Sequence, residues 1–284
     1  MNRIFVSVLV ALAFSFSVQA AGPRAVRKTV EGSMQVKGQV VIAADGTLQS
    51  YTLEKPEALP EEVKSLLARY LPACEFSVTS ATGKPGVVTS NMTVQILARQ
   101  NEAGGSRISI NGTQFMDPKT PEYIRRMAMP PPSYPINAAR AGLSGTVYLV
   151  LRLNPDGSVA EAHAEQVNMS VVASDDVLRQ GRNILSKAAL AKAREWRFEV
   201  TPARLAEEGP IDVRVPVDFK LGPVPKDHVD GPVYGKWQVY VPGPYASIPW
   251  RPELSDSRAL GALAGGSLYP VDSKIKLKKD PSGG

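Results

Sequence analysis

Gly145-Thr146-Val147-Tyr148-Leu149-Val150-Leu151-Arg152-Leu153-Asn154-Pro155-Asp156-Gly157 is the stretch on which the fold turns. Val147, Leu149, Leu151 and Leu153 recur at every second position, the period of a strand with one buried face. Asn154 to Gly157 then reverses the chain, because glycine accepts the positive φ that hairpin turns demand and an Asp-Gly pair between alternating runs favours one. A second strand is expected from Ser158 to Val167.

Downstream, Val177, Ile184, Leu185, Ala188, Ala189, Leu190 and Ala193 recur near a 3.6-residue spacing. That predicts an amphipathic helix, or two short ones, ending near Glu195. Trp196 and Phe198 open an extended segment whose rings would anchor the helix to the sheet. Pro202 and the loop from Glu207 to Pro210 break the chain before Ile211, Val213, Val215, Val217 and Phe219 alternate as a third strand. Pro216 cannot donate a ladder hydrogen bond, so this strand is expected at a sheet edge or with a local irregularity. Two strands, a helix and a returning strand define a small α+β unit with the helix on one sheet face.

Upstream, Val36, Val40 and Ile42 lead into Asp45-Gly46 and then Leu48, Tyr51 and Leu53, another strand, turn and strand. Pro60-Glu61-Glu62 suits a first helical turn, with Pro near N1 and acids near the positive dipole end. Val63, Leu66, Leu67, Tyr70 and Leu71 supply the apolar face of that helix. Cys74-Glu75-Phe76 stands where Trp196-Arg197-Phe198 stands later, and a strand runs through Met92, Val94 and Ile96. The chain therefore reads as a divergent duplication, the alternative being that any hairpin-helix-strand unit aligns this loosely. Gln100 to Pro132 reads as a linker with local order, in which Asn111-Gly112 could turn a small hairpin joining Arg107–Ile110 to Thr113–Phe115.

The pattern from Tyr134 to Leu221 resembles the carboxy-terminal domain of the TonB family, periplasmic energy transducers of Gram-negative bacteria. The matching residues are Tyr134, Pro135, Ala138, Gly145, Val147, Asp156, Gly157, Trp196, Phe198 and the final run to Leu221. The long stretch between Val167 and Arg182 departs from the pattern. The resemblance implies a β-hairpin, a helix and an edge β-strand in a small antiparallel sheet. It also implies recognition by strand addition, in which an extended segment of an outer-membrane transporter pairs with the last strand. The partner-binding strand is then Ile211, Val213, Arg214, Val215, Val217 and Phe219, with Tyr134 and Pro135 on the segment that approaches the transporter. Gly145, Asp156, Gly157, Trp196 and Phe198 take structural places.

Arg3 precedes an uncharged apolar run from Ile4 to Val18, and Val18-Gln19-Ala20 has the small-residue pattern of a signal-peptidase site. Residues 1–20 are expected as a signal peptide, with Ala21 as the mature terminus. The run is short for a span, which needs about 20 apolar residues. It also lacks the histidine that the family's membrane anchor carries, so the force-coupling end is expected to be missing. The expected organisation continues with an α+β module over 21–100, a linker over 101–130, the TonB-like domain over 131–222 and a tail over 223–284.

The net charge of +6 is thinly spread, with a cluster only at Lys274, Lys276, Lys278 and Lys279, which argues against nucleic acid as a partner and reads as a solvated tail. The tail is rich in Pro, Gly and aromatics, including Tyr234, Trp237, Tyr240, Tyr245 and Trp250, and reads as a strap over the domains or as an aromatic platform. The single cysteine, Cys74, cannot form an internal disulfide and is expected to be buried. No Gly-x-Ser-x-Gly elbow or His-Glu-x-x-His pair occurs, and His163 and His228 are too far apart in sequence to suggest a metal site. Ser273 and Lys276 match Ser-x-x-Lys only within the tail, and Asp175-Asp176 and Glu207-Glu208 read as solvated loop charges.

The expectation is a non-enzymatic periplasmic protein, without cofactor or metal, binding outer-membrane TonB-dependent transporters or other envelope partners, or forming a homo-oligomer. The alternatives are a membrane-anchored TonB energy transducer with an uncleaved anchor, and an envelope structural or peptidoglycan-binding protein.

Overall fold

The computed structural model describes residues 22–78, 87–101, 105–116, 124–206, 209–222, 234–252, 268–271, 275–279 and 281. The expected signal segment, Glu207, Glu208, His228, Ser273 and Lys274 lie outside these residues. The chain forms α1 (Pro23–Arg27), β1 (Glu31–Ile42), β2 (Leu48–Leu53), α2 (Glu61–Tyr70), β3 (Glu75–Val78), β4 (Val88–Gln100) and β5 (Ser106–Met116). It continues as β6 (Ile124–Ala128), α3 (Ile136–Arg140), β7 (Gly145–Leu153), β8 (Val159–Met169), α4 (Asp175–Ala193), β9 (Arg197–Val200), α5 (Pro202–Leu205) and β10 (Ile211–Phe219). Three short strands follow: β11 (Gln238–Tyr240), β12 (Tyr269–Pro270) and β13 (Ile275–Lys279).

Two larger sheets organise these elements, each with its own core, beside the two-stranded pairs β13-β3 and β6-β9. In the second, the antiparallel order is β12-β10-β7-β8. Val147, Leu149 and Leu151 of β7 and Val213, Val215 and Val217 of β10 bury one face against Leu178, Leu185 and Ala189 of α4, with Trp196 and Phe198 closing the same core. The helical period between Val177 and Ala193 is realised as one helix of 19 residues, with Asp175 and Asp176 in its first turn, where the helix dipole favours acids. In the first sheet, β1 lies between β4 and the pair β2 and β11, and β5 adds outside β4. Its core combines Val36, Val40, Ile42, Val94 and Ile96 with Val63 and Leu67 of α2 and the buried Cys74 and Phe76.

The two units share their element order: hairpin, helix, short strand, long strand. The hairpins agree in atomic detail. Asp45 Oδ1 accepts from the Thr47 N–H at 2.9 Å and its hydroxyl at 2.7 Å, and Asp156 Oδ1 accepts from the Ser158 N–H at 2.9 Å and its hydroxyl at 2.7 Å. These bonds to the ionised form hold both carboxyls below the usual Asp range. The Phe76 N–H donates to Gly46 O (2.9 Å) and the Phe198 N–H to Gly157 O (3.0 Å). Gly46 and Gly157 have φ of 88° and 80°, and a Cβ on either would lie 2.2 Å from Phe76 O or 1.7 Å from Phe198 O. Only glycine allows both the turn and that close approach.

Three segments differ from expectation. Residues 106–116 are one strand rather than a hairpin around Asn111-Gly112. They pair with β4 throughout, and Asn111 is the extra residue of a bulge between Gln95 and Ile96, its amide donating to Gln95 Oε1 at 3.1 Å. The expected linker over 101–130 thus supplies a strand to the first sheet, while β6 pairs with β9 beside the second core. The basic segment expected as a solvated tail is strand β13, paired with β3. Helix α1, which no periodicity announces, places Val26 in the second core. Among the described residues no helix is long and apolar enough to cross a membrane.

Candidate functional site

Strand β10 pairs with β7 in unbroken register, from Ile211 opposite Leu153 to Phe219 opposite Gly145. Ile211, Val213, Val215, Val217 and Phe219 face the helix-side core, so their side chains are spent on packing. A partner reaching this strand would meet its backbone. On the outer side, Val271 N–H donates to Asp212 O at 3.3 Å, and Arg214 stands opposite Tyr269. Alternation along the strand then turns the backbone groups of residues 212, 214, 216 and 218 away from β7. Pro216, opposite Tyr148, therefore has its missing N–H at the edge, which is why the ladder to β7 runs through it without a shift.

The even-numbered side chains of β10 face the opposite side of the sheet, where Asp212, Arg214 and Pro216 are buried too and Asp218 is partly buried. Arg214 makes a bidentate pair with Glu165, Nε to Oε2 at 2.9 Å and Nη2 to Oε1 at 2.8 Å, the two side chains being 5% and 0% exposed. Glu165 is the extra residue of a bulge in β8 opposite the Tyr148–Leu149 step, and the bulge lets its carboxylate reach across β7. Arg152 pairs bidentately with Asp212 at 2.9 and 3.0 Å, and Arg251 adds a bond to the same carboxylate at 3.0 Å. The Asp212 bonds favour the charged form of Arg152 and raise it above the ordinary guanidinium value.

The cover over this charged face is the tail. Met169 and Val241 exchange backbone bonds at 3.0 and 2.8 Å along the outer edge of β8. The Gln166 amide donates to Gly243 O (2.8 Å), the Gly243 N–H to Asn168 Oδ1 (3.0 Å) and the Tyr245 hydroxyl to Glu165 Oε1 (2.5 Å). Trp250 lies edge-on to His163 and under the Arg152 guanidinium, 5.5 Å from its ring centre. Arg182 of α4 donates to Val167 O (3.2 Å) and Pro242 O (3.0 Å), and burial pulls its guanidinium below the ordinary value. The Tyr148 hydroxyl is pushed well up, first by burial and then by Tyr240 and Asp218.

Tyr134 and Pro135 lie behind the same strand. The Tyr134 ring meets Phe219 edge-on at 5.6 Å and its hydroxyl donates to Leu143 O at 2.7 Å, while Pro135 caps α3. Gly145 opens β7 where a Cβ would lie 2.4 Å from Asn168 O, and Trp196 donates from Nε1 to Pro130 O at 2.9 Å. Sequence reading did not single out Glu165, Arg152, Asp212 or Arg251. A charged alternate face reads as solvent-facing, and the aromatics of the tail were the sole hint of a cover. Among the described residues no group of three or more His, Cys, Asp or Glu could hold a metal ion.

A hairpin, a helix across it and a returning strand, flanked on its outer side by the short β12, define a small α+β domain with a packed core. Residues 130–221 match the family of the Gram-negative bacterial TonB protein C-terminal, and this stretch is a domain of that family. The protein TonB of Xanthomonas campestris pv. campestris is 36% identical over 94 residues in both strain B100 and strain ATCC 33913, covering 33% of this chain. The chain spans 36% of the length of those curated relatives. No solved structure matches.

Proposed function

We propose that this protein is a TonB-like binding protein of the periplasm, engaging outer-membrane transporters or other envelope partners by β-strand addition to β10 in support of TonB-dependent transport. The observation that carries this reading is the position of β10: it is the last strand of a TonB C-terminal domain and lies outside β7, with an outer neighbour among the described residues only along Asp212, Val213 and Arg214. An unpaired strand edge presents N–H and C=O groups that an extended segment satisfies. Because the odd-numbered side chains are in the core and Arg214 is paired with Glu165, affinity comes from the backbone of residues 212–219 and from whatever the guest lays on either face. At about 0.5–1.5 kcal/mol net per bond, against an association cost of about 4–15 kcal/mol, such contacts are weak and reversible.

A photo-crosslinking residue in place of Lys220, exposed at the end of β10, tests the assignment in cells. The expected product is a crosslink to a TonB-dependent transporter, reduced by Asp218→Pro, which removes an outward N–H. Recovery of soluble periplasmic proteins alone would remove the basis for the transporter reading. Periplasmic residence is tested by mass spectrometry of the native amino terminus, with a start at Ala21 expected.

The same proposal extends to residues 21–100 as a divergent second copy of the domain. The matching hairpin bonds around Asp45 and Asp156 and the close approaches of Gly46 and Gly157 to the corresponding phenylalanine carbonyls support it. In that copy the edge corresponding to β10 belongs to β4, and β5 fills it.

A further inference from the structure

The outer edge of β10 already has an occupant. Tyr269 stands opposite Arg214 and Pro270 opposite Val213, and Val271 N–H reaches Asp212 O. Pro270 falls where the backbone groups of Val213 point to β7, so its missing N–H leaves no bond unmade. Leu268 packs on the helix-side core, and Tyr269 packs with Tyr245 against buried Tyr148 on the opposite face. This short piece of chain has what an added strand needs: backbone pairing, an aliphatic anchor on one face and an aromatic anchor on the other.

Its hold on the edge is short. Among the described residues β12 pairs with β10 at two positions, with one further bond from Val271 N–H to Asp212 O, whereas beside β4 the neighbour β5 pairs over ten, from Asn91–Met116 to Gln100–Ser106. One edge is zipped by a full-length strand and the other is held by a clip.

We infer that Leu268–Val271 is an internal competitor for the docking edge of β10, and that the guest it stands in for is an extended segment carrying an aliphatic residue, an aromatic residue and a proline in that order. The inference rests on the reading of β10 as the docking strand. The guest runs antiparallel to β10, with its aromatic residue opposite Arg214 and its proline opposite Val213. Binding exchanges one strand for another, so the apparent affinity is the intrinsic affinity reduced by the fraction of molecules whose edge is open. Weakening the clip raises affinity without touching the edge itself.

The test uses the full chain and a fluorescent peptide with the sequence of residues 266–273, GSLYPVDS. Anisotropy is read for the wild type, for Tyr269→Ala, and for Leu268→Ser combined with Pro270→Gly, after thermal melts confirm that each variant is folded. The variants are expected to bind the peptide about tenfold tighter than the wild type, as for an edge that is open in roughly a tenth of wild-type molecules. A peptide with its tyrosine and proline both changed to glycine is expected to bind neither. Equal affinity for wild type and variants overturns the competitor, as does an absence of binding to every form at millimolar peptide. Equal binding of the two peptides overturns the guest pattern. If the variants take up the peptide while the Lys220 crosslinker captures no transporter, internal competition stands and the transporter reading falls.

Discussion

Glu165 on β8 and Arg214 on β10 share a bidentate ion pair across the intervening strand β7, with the Tyr245 hydroxyl of the tail closing the third side of the carboxylate. The pair ties the strand proposed for docking to the far edge of its own sheet and to the strap that covers it. Desolvating two charges costs several kcal/mol per ion, offset only while both partners and their hydrogen bonds remain in place.

Removing one partner therefore leaves a buried charge unpaired. Glu165→Leu or Arg214→Met alone is expected to lower stability by about 3–5 kcal/mol, and the double variant to recover most of that loss. Urea unfolding of the three proteins measures it. A double-variant loss equal to the sum of the two single losses would show that the two charges are not coupled.

At Gly157 the chain combines a φ of 80° with a Cβ position 1.7 Å from Phe198 O, while Gly142 has a φ of 65° and open space around it. Gly142→Ala is expected to cost about 1–2 kcal/mol from the left-handed backbone alone. Gly157→Ala must also push β9 off the turn, so a loss at least about 2 kcal/mol greater is expected. Gly46→Ala, blocked by Phe76 O in the same way, should follow Gly157→Ala rather than Gly142→Ala.

The Asp45 and Asp156 carboxyls are held below the ordinary Asp value of 3.8 by the Thr47 and Ser158 side chains and backbone N–H groups. A carboxyl depressed on folding binds its proton more weakly in the native than in the unfolded state. Its contribution is complete above the unfolded value and is lost as pH falls through the folded one. The stability gap between wild type and Asp156→Ala is expected to be flat from neutral pH down to about 5 and to close below 3.8. Carboxyl NMR titration should give both residues midpoints under that value. A midpoint at or above it would remove the hydrogen bonds to Thr47 and Ser158 from the account.

Pro216 withholds one donor from the outer edge of β10. Pro216→Val restores it, adding about 0.5–1.5 kcal/mol to strand addition, or roughly two- to tenfold in affinity for an extended peptide. The same donor removes a guard against edge-to-edge pairing, so the variant should also self-associate more, visible by light scattering. Unchanged affinity and unchanged association would mean that guests do not reach this part of the strand.

Much of the second unit could be read from sequence. The alternation from Val147 to Leu153, the Asp156-Gly157 turn, the helical spacing to Ala193 and the returning run to Phe219 are all local patterns, each set by how side chains project from a strand or helix. The first unit was legible for the same reason as far as Ile96. Reading failed at Asn111-Gly112, because a bulge and a turn draw on the same residue types, and only the presence of β4 alongside decides which forms.

By itself, then, the sequence determined the two hairpin-helix-strand patterns and the resemblance to a TonB carboxy-terminal domain, while its expectation of a sheet edge or an irregularity at Pro216 met a strand with only the short β12 outside it among the described residues. Tertiary structure alone decided that Asp212 and Arg214 are buried, that Glu165 reaches Arg214 through a bulge, and that Tyr269 sits on the edge where a guest would pair. Periodicity records which face of an element is apolar. What covers the other face, and which distant segment completes a strand edge, depends on pairings between residues far apart in the chain, and no local pattern encodes them.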